Sequence, residues 1–347
     1  MSGDFSFSGK RILYVTSAWA GLVDVLTSES SQPKGMPAFF YPLVELGRQG
    51  AKIELIVFSA QFIDKQKLTN TYFKNTSITI FPWPRGKSFR SIFMLLSSFF
   101  CMYLKAIKTK PDFIYALGTT GVLGVFVSKV LRVPVGVRIF GINKYFENYK
   151  ELGRLKFILS SPLLFLSFRL KNKFLLATDD GSAADKLFHE IGSKDAKFLF
   201  WKNGFDSIVL FDHKAIEDKP FMLYPSRISD KKQQIKAVEL LHLLDLNGCK
   251  SIKLKLVGHV TDQKYYDKVI EYAKSVGLQE RVEFCGTFEK KVLFNHMKQA
   301  EVVLSLQKIS NLGNTLIEAL NCESVVLSYK EPSLEAFLEN AIPAISK

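Results

Sequence analysis

Between Met222 and Val257 the chain reads MLYPSRISDKKQQIKAVELLHLLDLNGCKSIKLKLV. A short apolar run, Met222–Pro225, predicts a strand, and the pattern over Lys232–Leu244 predicts a helix. Lys253–Val257 restores the strand, so the stretch is one β-α-β unit of a parallel sheet. The alternation continues downstream. Helix Asp262–Ser275 leads to strand Val282–Cys285, helix Lys290–Gln299 to strand Val302–Leu306, and helix Asn314–Leu320 to strand Val325–Ser328. It also runs upstream. Strand Arg11–Thr16 (RILYVT) precedes helix Phe39–Gln49, strands Ile53–Phe58 and Ser77–Phe81, and helix Ile92–Lys108. Strand Phe113–Ala116, helix Thr119–Leu131, strand Pro134–Ile139, a helical segment 155–173, strand Phe174–Ala177, helix Ser182–Ile191 and strand Lys197–Trp201 complete that half.

The stretch 206–220 is charged, lacks a period and ends in Pro220, so it reads as a linker. The chain therefore divides into an N-terminal domain over 1–205, the linker 206–220, and a C-terminal domain over 221–347. A length of 347 residues, 47% hydrophobic and 23% charged, supports two doubly wound α/β cores and excludes a disordered or repetitive chain.

Net charge is +14, unevenly placed. Through Gly204 there are 28 basic and 14 acidic residues; beyond it there are 19 of each. One half faces an anionic partner. Its cations are scattered without a recognition motif or aromatic platform, which argues against nucleic acid. The N-terminus has no secretory pattern, and Cys101, Cys249, Cys285 and Cys322 are too dispersed for a disulfide frame or zinc knuckle. The reading is cytoplasmic. Two apolar stretches, Ile92–Leu104 and Phe157–Phe168, are too short to span a bilayer but are flanked by Lys and Arg, as an interfacial helix would be. A buried core helix with a solvated basic end has the same pattern.

In sheets of this kind ligands bind at strand carboxyl ends near helix N-termini. Arg227 follows the strand MLYPS, and Lys232 stands five residues on, a pair suited to clamping a pyrophosphate. An exposed basic turn would look alike. In Ser310-Asn311-Leu312-Gly313-Asn314-Thr315-Leu316-Ile317-Glu318 a small polar loop opens a helix. The Asn314 and Thr315 N–H groups would face the cleft, and Glu318 could accept ribose hydroxyls or simply serve the helix dipole. Gly118-Thr119-Thr120-Gly121-Val122-Leu123-Gly124 is a loose glycine fingerprint, but its spacing and its place after the fourth strand favour close helix packing over a nicotinamide site.

These motifs together resemble retaining GT-B glycosyltransferases of the large family four. Arg227 and Lys232 match that family's Arg/Lys pair, and Val282-Glu283-Phe284-Cys285-Gly286-Thr287-Phe288 matches its V-x-F-x-G segment. Glu318 matches the second Glu of its E-x7-E motif. In the N-terminal half, KRILYVT, Lys34-Gly35-Met36-Pro37, Lys110–Tyr115 and Asn203-Gly204-Phe205-Asp206 resemble family segments in the same order. The resemblance implies two Rossmann-like domains facing each other across a cleft, and retaining transfer of a hexose from a UDP- or GDP-sugar. The acceptor would be lipid-linked or a cell-surface glycan, as in polysaccharide biosynthesis.

It implies catalytic roles for Arg227, Lys232 and Glu318, and donor contacts at Gly35, Phe288, Ser310, Gly313, Asn314 and Thr315. The sugar or acceptor side would fall at Arg138, Phe140 and Gly141. No metal or other cofactor is implied. Two departures stand out: Ser310 replaces the first Glu of E-x7-E, and Phe140 stands where a His is frequent. They keep open a second reading, a non-catalytic relative that serves an active transferase as binding partner or scaffold. The resemblance also implies a last helix returning to the N-terminal domain, so the C-terminal domain reads as short. With the basic N-terminal domain as acceptor side, the expected partner is an anionic membrane surface, met peripherally on its cytoplasmic face through 85–110 and 154–173.

Overall fold

Seven parallel strands form the sheet of the N-terminal unit in the order β3-β2-β1-β4-β5-β6-β7. They are β1 (Arg11–Ser17), β2 (Lys52–Ser59), β3 (Thr76–Pro82), β4 (Phe113–Leu117), β5 (Val135–Ile139), β6 (Phe174–Thr178) and β7 (Lys197–Trp201). The computed structural model describes residues 6–18, 20–27, 37–61, 63, 68, 73–83, 89–179, 182–201, 220–308 and 311–341. The chain splits into two units, Met1–Asn203 and Gly204–Lys347.

Strands such as RILYVTS are buried nearly end to end because helices cover both faces of the sheet, so their sequence is a continuous apolar run. Side chains alternate between the faces. Leu13, Val15, Ile56 and Val137 point to one core, shared with α3 (Phe89–Thr109), α4 (Gly121–Leu131), α5 (Asn143–Ser160), α6 (Pro162–Arg169) and α7 (Ala184–Ile191). Ile12, Tyr14, Leu55 and Val57 point to the other, under α1 (Ala20–Leu26) and α2 (Pro37–Arg48).

The C-terminal unit repeats the plan with five parallel strands in the order β10-β9-β8-β11-β12. These are β8 (Phe221–Pro225), β9 (Lys253–Val257), β10 (Val282–Gly286), β11 (Val302–Ser305) and β12 (Val326–Ser328). Helices α8 (Gln234–Leu246), α9 (Gln263–Ser275), α10 (Lys290–Gln299), α11 (Asn314–Asn321) and α12 (Pro332–Ala341) accompany them. In both sheets the first strand sits inside, and the chain winds away from it in both directions. The topological switch points therefore lie between β1 and β4 and between β8 and β11, where doubly wound sheets bind ligands.

Several expectations need correction. The segment 155–173 is not one helix. α5 begins at Asn143 and is kinked at Gly153, and Pro162 opens the separate α6. Helices α1 and α12 have no counterpart in the sequence reading. Lys232 lies in a single 3-10 turn, Asp230–Lys232, and α8 starts only at Gln234. The linker residues 206–219 and the segments 34–36 and 203–206 lie outside the described residues.

The glycines of Gly118–Gly124 serve packing. A Cβ on Gly121 would stand 2.9 Å from Val137 Cγ1, and one on Gly124 would stand 2.9 Å from Ala116 Cβ, so only glycine lets α4 approach β4 and β5 this closely. Among the described residues no helix is long and apolar enough to cross a membrane.

Candidate functional site

The carboxyl ends of β8 and β11 flank the C-terminal switch point, and the loop after β8 is held rigidly. Gln234, fully buried, donates from Nε2 to Ser226 Oγ (3.0 Å) and to the Arg227 carbonyl (2.9 Å). Ile228 N–H donates to the His259 carbonyl at 3.0 Å. Gly258 ends the neighbouring strand, and a Cβ there would stand 2.2 Å from the Ser226 carbonyl oxygen. The turn thus presses on a site that only glycine leaves open, and it presents Arg227 exposed to solvent.

Lys232, half-buried, leaves the same loop and donates from Nζ to Gln307 Oε1, just past β11. The buried Tyr224 hydroxyl donates to the Lys232 carbonyl and accepts Leu306 N–H (3.2 Å). Lys308 closes the stitch, its N–H on the Lys231 carbonyl at 3.0 Å and its ammonium on Asp230 at 2.6 Å. Burial, and then the Arg227 charge, pull the Lys232 ammonium down to about 8. Two cations thus stand at the switch point, and the deeper one is held against a neutral amide.

Across from them the loop 311–313 leads into α11. Asn311 is buried; its Oδ1 accepts Gln307 N–H (2.8 Å) and the Ser305 hydroxyl (3.2 Å). The Glu331 carboxylate, from the segment before α12, accepts Asn311 N–H (2.9 and 3.0 Å) and Leu312 N–H (3.1 Å). Gly313 is the extended N-cap residue, without a side-chain cap, so the first-turn N–H groups of Asn314 and Thr315 lack intrahelical partners by geometry. Glu318 lies one turn in, buried, with its Oε1 3.5 Å from Lys290 Nζ. Lys290 opens α10 directly after the loop carrying Phe288, whose ring packs 4.5 Å from that of His296.

The sequence-predicted residues therefore fall into groups. Arg227, Lys232, Gly313, Asn314 and Thr315 gather around the β8–β11 switch point, and Glu318 ties α11 to the loop of Phe288 through Lys290. In the N-terminal unit Arg138 is buried in β5, its guanidinium 5.0 Å from the Phe140 ring centroid. It lies close to Tyr115, whose hydroxyl burial pushes upward. Gly141 follows, exposed, in a left-handed conformation. Gly35 and Ser310 lie outside the described residues. Glu331 and Lys290 were missed from the sequence. Glu331 acts across an intervening strand, and Lys290 reads as one of two solvated lysines.

Two cations, a helix N-terminus and a buried carboxylate suit a diphosphate joined to a vicinal diol. Residues 208–344 match the family model of glycosyl transferases, group 1. The fold is GT-B. HepE of Anabaena in complex with UDP superposes with a TM-score of 0.64 at 17% identity, over 94% of this chain and 82% of that one. WaaG, a glycosyltransferase involved in lipopolysaccharide biosynthesis, gives 0.63 at 14% identity, over 95% and 84%. The lipopolysaccharide outer core galactosyltransferase WaaB gives 0.59 at 13%, over 93% and 82%. At these identities the likeness is one of fold. No curated relative matches the sequence.

Among the described residues no three His, Cys, Asp or Glu side chains converge as a metal ion requires. A pocket of about 290 Å³ opens elsewhere in this GT-B chain, between Arg11, Lys52, Glu54, Asn75 and Thr109. It lies at the amino ends of the N-terminal strands, the edge that doubly wound sheets leave unused.

Proposed function

We propose that the chain is a retaining glycosyltransferase moving a hexose from a UDP- or GDP-sugar to a lipid-linked or cell-surface glycan acceptor. The C-terminal unit is the donor side. The basic N-terminal unit is the acceptor side and meets an anionic membrane face. The observation that carries this reading is the Arg227–Lys232 pair at the β8–β11 switch point, opposite Gly313 and the first turn of α11. UDP and UDP-glucose in the HepE complexes support the donor class by likeness of fold.

Arg227, Lys232 and the α11 N–H groups receive the charge that gathers on the diphosphate as the anomeric C–O bond breaks. The acceptor hydroxyl attacks on the same face, through a short-lived oxocarbenium-like state, and its proton passes to the departing phosphate oxygen. Positioning and electrostatics supply most of the rate. Glu318 takes the ribose hydroxyls, and Phe288 marks the base end.

A second reading, a non-catalytic relative that binds nucleotide in support of an active transferase, rests on Ser310 and Phe140 in place of Glu and His. A thermal-shift panel of UDP, GDP, ADP and pyrophosphate decides between them together with turnover. One nucleoside diphosphate should raise Tm clearly above pyrophosphate, and Arg227→Ala should abolish the rise. No shift with any nucleotide rejects both readings. A shift without turnover of any sugar nucleotide, across lipid and glycan acceptors, selects the second.

A further inference from the structure

Helix α3 carries more apolar surface than its core consumes. Met102 and Ala106 are buried, with Leu95, Phe99 and Tyr103 packed around them, and these account for its inner side. Its outer side is apolar as well: Phe93 is 70% exposed, Leu96 61% and Phe100 57%, with Leu104 and Ile107 nearly half exposed. These five recur every three or four residues and so form one stripe along the helix. Helix α4 lies alongside, the rings of Phe99 and Phe126 meeting edge to face at 6.4 Å, and it adds an exposed Val130. An apolar stripe of this length belongs in a core or against lipid, and this one faces outward.

The stretch of sequence that carries the stripe has charge of almost one sign. Residues 65–146 contain 13 Lys and Arg and a single acid, Asp112, whose carboxylate is held by Arg11 N–H at 2.8 Å. Lys105 turns inward to Glu54 at 3.2 Å. Lys108 and Lys110 at the end of α3, and Lys129 and Arg132 at the end of α4, are exposed. In the other candidate segment, 154–173, Leu155 (74%) and Leu159 (72%) are exposed as well, but Phe157, Leu164 and Phe168 are buried, so it offers two exposed leucines where α3 offers a stripe of five. A second copy of this chain is a poor occupant, since a two-fold interface would set the same cations against themselves.

We infer that α3 is an interfacial anchor. It lies in the headgroup–acyl boundary of an anionic bilayer with the Phe93–Ile107 stripe inserted, while Lys108, Lys110, Lys129 and Arg132 rest on the headgroups. This deepens the membrane-facing reading of the N-terminal unit and rests on it, but it requires no donor chemistry.

The test is co-sedimentation of the full chain with phosphatidylcholine vesicles, with and without about one-third phosphatidylglycerol. Wild type should pellet with the anionic vesicles and far less with the neutral ones. Leu96→Ser/Phe100→Ser, at exposed positions that leave the core intact, should weaken binding about tenfold or more. Lys108→Gln and Lys129→Gln should each weaken it roughly fivefold. A polarity-sensitive label on the exposed Cys101, on the outer side of α3, should shift to the blue on vesicles, while one on the exposed Cys249 should not. Three results would overturn the proposal: wild type left in the supernatant, stripe variants that bind like wild type, or a solution dimer that those variants split without changing vesicle binding. Because no nucleotide is present, failure here leaves the donor reading standing, and loss of UDP binding leaves the anchor standing.

Discussion

Lys232 offers a quantitative test of the diphosphate clamp. Its ammonium has an ordinary value of 10.5 and is drawn to about 8, chiefly by burial and secondarily by Arg227. Holding it charged in the free site therefore costs about 3 kcal/mol relative to water. A bound diphosphate supplies the missing counter-charge and restores the proton. Below pH 8 the free site is already charged, and affinity should be flat. Above it each bound diphosphate must recruit a proton, so affinity should fall about tenfold between pH 7 and pH 9.

The ligand adds little of its own, since terminal phosphates complete their ionisation near pH 6. For the free protein the sign is reversed. The unfolded chain keeps this proton up to 10.5 and the folded chain sheds it near 8, so Lys232 alone makes stability rise with pH across that window. Titration calorimetry of UDP in buffers of different ionisation enthalpy reads the proton directly. Uptake should grow from about a tenth of a proton at pH 7 to about nine-tenths at pH 9. Lys232→Arg keeps a charge that does not titrate and should flatten both curves. If that variant retains the wild-type slope, or wild type takes up no proton at pH 9, the buried-cation account is wrong.

Two carboxylates carry separable predictions. Glu318→Ala should lower UDP affinity roughly ten- to a hundredfold while leaving pyrophosphate affinity unchanged, as expected for a charged hydrogen bond to the ribose; competition binding reads both. Glu331→Ala leaves the Asn311 and Leu312 N–H groups without their acceptor, at about 1–3 kcal/mol. Tm should fall by several degrees and UDP affinity should fall with it, and Glu331→Gln should recover part of both.

What could be read from the sequence was whatever is contiguous in it. RILYVT and KLKLV are legible as strands because burial on both faces makes each a continuous apolar run. Gly313 to Glu318 is legible as a site because loop, N-terminus and carboxylate lie within one helical turn of each other. The first half of α5, with its mixed KYFENYKE pattern, gives no clean period and was missed, while Pro162 broke what looked like one helix into two. Glu331 and Lys290 reach the site from other elements, across 20 and 28 residues of chain, and only the sheet order brings them there.

The charge division then acquires a physical cause. A domain that binds an anion need not be basic; it needs cations that are not already neutralised. In the C-terminal unit Lys236, Lys253, Arg281, Lys290 and Lys308 each lie within salt-bridge distance of a carboxylate. Lys232 is instead offered the neutral Gln307 amide, and among the described residues no carboxylate pairs with Arg227. Selective pairing thus yields a site with local positive charge inside a unit of zero net charge, which limits nonspecific attraction of other polyanions. The N-terminal unit is arranged the other way. Its switch point carries Gly118 and lies next to Phe140, while Lys108, Lys110, Lys129 and Arg132 are exposed at the ends of α3 and α4. Positive charge placed at helix ends on one outer face cannot orient a single small ligand, but it can orient a whole domain against an extended anionic surface.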